Sequence, residues 1–191
     1  AAEQAAQYDA SAAETIQRCG GGGKGGRVCW TATTNPTEAH LKEATALMQV
    51  AAEHRVASEA LRAAEDTACA GISPEDRDIS PFFYTDDIAT VAPLTVHRGG
   101  KTPNSETVGA VVTVRAVPGL TSEWLQRIVD CHIARSAALG HDVPTMPDCP
   151  LVPKGASATV HSTGTGFTVE IRSSENEAAS DILARARRLV P

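Results

Sequence analysis

The sequence predicts an α+β fold, in which a long N-terminal helix precedes an antiparallel sheet with two helices on one face. Three observations carry this. Residues 38–70 contain no Gly or Pro and are mostly strong helix formers. Beyond residue 90 the pattern changes to short Val- and Thr-rich runs with period-two alternation. Two stretches with capping residues at their starts and helical spacing follow the second and fourth of those runs. The chain has 191 residues, 42% of them hydrophobic, enough for one ordinary domain with a helical extension. Aromatics are only 4%, so the core must be built from Ala, Val, Ile and Leu.

Residues 1–36 form the first segment. Residues 1–17 are Ala-rich and offer little to bury, so a short helix or an unstructured arm is expected there. Cys19 and Cys29 then bracket a glycine-rich loop. Ordering so many glycines costs much backbone entropy. A disulfide across the loop limits that loss by about 2–3 kcal/mol, so a Cys19–Cys29 bridge is expected. Residues 37–90 form the second segment. Its helix shows a stripe of Leu41, Leu47, Met48, Val50 and Val56, and Gly71 ends it, with Pro74 just beyond. At roughly 50 Å it is long for a domain helix, and a bend or split near Glu53-His54-Arg55 is expected. An acidic connector follows, carrying Glu75, Asp76, Asp78, Asp86 and Asp87 around Phe82-Phe83-Tyr84.

Residues 91–191 read as strand, strand, helix, strand, strand, helix. The strands are Val91–His97, Thr107–Val117, Ala156–His161 and Phe167–Ile171. The first helix starts at Thr121 or Ser122 and closes at Gly140, and the second starts after Ser173 or Ser174. The turn Ser162–Gly166 joins the last two strands. This ββαββα order resembles a circularly permuted ferredoxin-like sandwich, a likeness of architecture that says nothing of function.

Composition excludes some functions. The formal charge is −6, which argues against a nucleic-acid binder, whose affinity comes largely from neutralised phosphates. No run approaches the roughly 20 apolar residues of a membrane span. Phosphate-loop, nucleophile-elbow, paired-His and Cys-x-x-Cys signatures are absent. The opening Ala1-Ala2-Glu3 is what removal of an export signal leaves. With a disulfide expected, it points to a periplasmic or secreted protein.

The chemistry-bearing residues fall in two groups. Cys149, Met146, His141 and Cys131 lie in or near a proline-spaced loop, and thiolate, thioether and imidazole suit copper or zinc. Cys131 and His132 are adjacent on a helix and diverge by about 100°, so they are not expected to share an ion. His132 continues the apolar stripe Leu125, Ile128, Val129, as a core histidine does. Against the metal reading stands a disulfide between Cys131 and Cys149. The second group is His54, Glu65 and Cys69, near one face of the long helix. It could serve acid–base chemistry, or Cys69 could instead pair with Cys131 or Cys149.

The expected function is an exported, non-catalytic binding module whose partner is a metal ion, copper or zinc, or a protein. The alternatives are a structural or protein-interaction domain with all-structural cysteines, and an enzyme using His54, Glu65 and Cys69.

Overall fold

The computed structural model describes residues 14–22, 26–34, 36–98, 104–141 and 146–190. Two compact units divide it, Ala1–Ala57 and Ser58–Pro191. The residues 1–13 of the expected arm, the loop tip 23–25, and residues 142–145 of the proline-spaced loop lie outside the described residues.

The first unit contains a hairpin where a helix or unstructured arm and a loop were expected. Strands β1 (Glu14–Gly22) and β2 (Gly26–Thr34) pair antiparallel, with Cys19 directly opposite Cys29. The expected disulfide joins these two residues. Two features favour strand over loop. The second strand is rich in branched and aromatic residues, and the Trp30 ring lies over Gly20, where a side chain would meet it at 3.3 Å. An aromatic covering a strand glycine in this way restores contact the glycine lacks.

Helix α1 (Pro36–Ala68) starts with proline at its first position, where the missing N–H costs nothing. It runs through Glu53–Arg55 without a split. Its stripe is not buried: Leu41, Met48 and Val56 are 51%, 57% and 66% exposed.

The second unit contains the four-stranded sheet. In chain order its elements are α2 (Pro74–Arg77), β3 (Ile88–Arg98), β4 (Asn104–Arg115), α3 (Ser122–Ala138), β5 (Ser157–Thr163), β6 (Gly166–Arg172) and α4 (Asn176–Arg187). The strands lie in the order β3-β4-β6-β5, antiparallel at every pairing. Class and element order are those the sequence predicts, with boundaries moved by a few residues. Pro93 does not interrupt β3, because β3 is an edge strand and can lack a ladder donor. Gly109 sits beside a register shift in the β3–β4 pairing, at φ 155°, where an added Cβ would fall 1.9 Å from the Ile171 carbonyl oxygen. A bulge beside so close a backbone approach requires glycine.

One sheet face carries Ala110, Val112, Val114, Phe167, Val169 and Ile171, and all are buried in one cluster with Leu125 and Val129 of α3 and Ile182 and Ala186 of α4. Both helices therefore close the same core. Thr121 caps α3, its hydroxyl accepting from the Trp124 N–H at 3.2 Å. Glu175 rather than Ser173 or Ser174 occupies the N-cap position of α4, while the Ser173 hydroxyl accepts from the Glu175 N–H.

Candidate functional site

Two places in the second unit gather chemistry. The first arises from the connector between α1 and the sheet. A disulfide between Cys69 and Cys131 ties the end of α1 to α3. The chain then turns through α2, where Ser73 accepts from the Asp76 N–H at 3.2 Å. Arg77 donates to the carbonyls of Ile72 and Cys69, and Arg127 to that of Ala70. These bonds hold the connector down. Phe82 is buried, its N–H donating to the Ser80 hydroxyl at 3.2 Å.

Between this connector and the first turn of α3 lies a pocket of 340 Å³. Ile72, Ile79, Phe82, Val117, Leu120 and Trp124 are among its mostly apolar lining. Its charged lining residues are Asp76 and Asp87. Phe83 and Tyr84 stack edge to face at 5.2 Å nearby and are 66% and 72% exposed. The size is within the range of small-molecule sites.

The second place is Cys149. Leu125, Val129, His132 and Ser136 recur at helical spacing on the buried face of α3. His132 thereby meets the loop after α3, and Cys131, a step around the helix, meets Cys69. The His132 Nε2 lies 3.3 Å from the Cys149 sulfur, and the Ser80 hydroxyl donates to that sulfur at 3.4 Å. Burial pushes the imidazole down to about 4, against a smaller opposing pull from Asp78. Burial also pushes the thiol up. Both shifts disfavour charge, so at neutral pH the pair is thiol and imidazole. A nucleophilic cysteine needs the opposite, a thiolate beside an imidazolium.

The sequence-derived sites fare as follows. Cys149 is unbridged and buried, and Met146 is buried in the same cluster. Cys131 is not an available ligand, because its sulfur is bonded to Cys69. His141 directs Nδ1 to the Val152 carbonyl at 2.8 Å. The four residues therefore do not assemble as one donor set. Among the described residues, no group of three or more His, Cys, Asp or Glu side chains could hold a metal ion. The second group also disperses. His54 is exposed, Glu65 pairs with Arg135 at 2.7 Å, and Cys69 has no free thiol. Arg135 also binds Asp78, and these two carboxylates hold its proton more firmly than usual.

Sequence reasoning missed the pocket and the pairing of His132 with Cys149. The signal for the pocket was present, since two of the three phenylalanines in the chain sit together in the acidic connector. The burial of His132 was legible; its partner was not.

No protein-family model, curated protein or solved structure matches the chain. Among the described residues, no helix is long and apolar enough to cross a membrane. Two disulfides are the mark of an oxidising environment.

Proposed function

We propose that the second unit is a non-catalytic binding module, periplasmic or secreted, whose site is the pocket between the connector and α3. The observation that carries this reading is the 340 Å³ of space lined mainly by apolar side chains. Apolar surface left open to water is unfavourable by about 25 cal/mol per Å², and an apolar small molecule removes it.

The test uses Trp124 as a reporter. With Trp30→Phe, Trp124 becomes the only tryptophan in the chain. Titration with the neutral dye N-phenyl-1-naphthylamine is expected to give saturable energy transfer from Trp124. Leu120→Asp, which places a carboxylate in the pocket wall, is expected to abolish it. Absence of saturation, or binding indifferent to that variant, refutes the pocket.

A second reading keeps a soft metal, now on Cys149 with His132 and Met146. What supports it is the 3.3 Å separation of sulfur and nitrogen, close to the roughly 3.5 Å that two ligands of one tetrahedral zinc span. Metal retained after incubation with Zn(II) or Cu(I) and desalting, one equivalent per chain and lost in Cys149→Ser, supports this reading. Retention of none ends it.

A further inference from the structure

We infer that the pocket selects an amphiphilic organic cation, a compact apolar body carrying an ammonium or related group. This rests on the pocket being a binding site, and it adds the charge of the ligand.

Among the described residues, the lining contains two carboxylates, Asp76 and Asp87, and no Lys, Arg or His. The bases close by are not among the lining residues. Arg77, Arg127 and Arg115 donate to the backbone carbonyls of Ile72, Ala70 and Asp86 respectively. Asp76 accepts from the Ser73 hydroxyl at 2.9 Å. Asp87 is half-buried, and among the described residues its carboxylate has no hydrogen bond or ion pair. A carboxylate at an apolar wall loses hydration without gaining a partner, and a cation in the pocket supplies one. Of the other connector carboxylates, Glu75 and Asp86 add to the same field, whereas Asp78 is paired with Arg135. Trp124 and Tyr84 are aromatic lining residues, of the kind that suits an organic cation. One Trp124 face is already occupied by Arg127, 5.3 Å from the ring centroid, so the carboxylates supply most of the preference for charge. An anionic amphiphile of equal size would meet two like charges and is disfavoured by the same geometry.

Three ligands of matched shape separate charge from apolar fit: 4-phenylbutylammonium, 4-phenylbutanol and 4-phenylbutyrate. Affinities are read by Trp124 fluorescence in the Trp30→Phe chain. The cation is expected to bind at least fivefold more tightly than the alcohol, and the anion more weakly than both. Asp87→Asn is expected to bring the cation down to the level of the alcohol, with saturable alcohol binding retained. Because Asp87 makes no side-chain bond that folding needs, the retained alcohol binding also reports an intact pocket. Asp76→Asn is expected to have a smaller effect of the same sign. Equal binding of cation and alcohol, or a cation preference that survives both substitutions, overturns the selection for charge and leaves the pocket reading standing. Binding of none of the three overturns both.

Discussion

Acidification should weaken the second unit through His132 before its carboxylates are titrated. The ring is 4% exposed, and its folded-state pKa lies near 4 against an ordinary value of 6.5. The unfolded chain therefore takes up a proton that the folded chain refuses. Stability is fully present above pH 6.5, falls as the pH drops from 6.5 towards 4, and loses nothing more from this group below that. The interval of about 2.5 pH units at 1.36 kcal/mol each gives a loss of about 3 kcal/mol. Urea unfolding at pH 7, 6, 5 and 4.5 measures the effect in the native chain and in His132→Gln. The glutamine chain should start less stable and show a shallower decline across this window. Its remaining slope belongs to groups other than His132. Parallel declines in the two chains would refute the assignment to His132. A histidine titrating near 6.5 by proton NMR in the folded protein, absent from His132→Gln, would refute it independently.

The Cys69–Cys131 bridge closes a 62-residue separation, so replacing both residues with Ala should lower stability by about 4 kcal/mol in the chain-entropy account. Urea unfolding measures this, and a loss below 1 kcal/mol would count against the bridge as the main staple of the connector. The single thiol not engaged in a bridge, Cys149, is buried and held protonated. It should react with a disulfide reagent at well under a tenth of the rate seen in urea, where one thiol per chain should be counted. Rapid native reaction would show that the sulfur is open and ionised.

Much of the architecture was legible because it rests on local rules. Alternation along Val108–Val114 and Phe167–Ile171 placed the strands, and Gly71 and Gly140 marked two helix ends. The Cys19–Cys29 bridge was legible because short-range glycine entropy favours it. The hairpin that carries the bridge was not, since glycine content argues for loop until two strands pair across it. The exposed stripe of α1 failed for a related reason. Helical spacing of Leu41, Met48 and Val56 says that these side chains share a side, and not that anything covers them.

The sequence by itself determined the α+β order, the ends of most elements and the reach of Cys19 to Cys29, because each depends on neighbours within a few residues. Only the tertiary structure decided which sulfur Cys131 meets. Two residues one step apart on α3 point to different neighbours, Cys131 to Cys69 and His132 to Cys149, and those neighbours come from segments 62 and 17 residues away. The pocket is of the same kind. Its walls come from the connector, the end of β4 and the start of α3, and space enclosed by distant segments leaves no periodic trace in the chain.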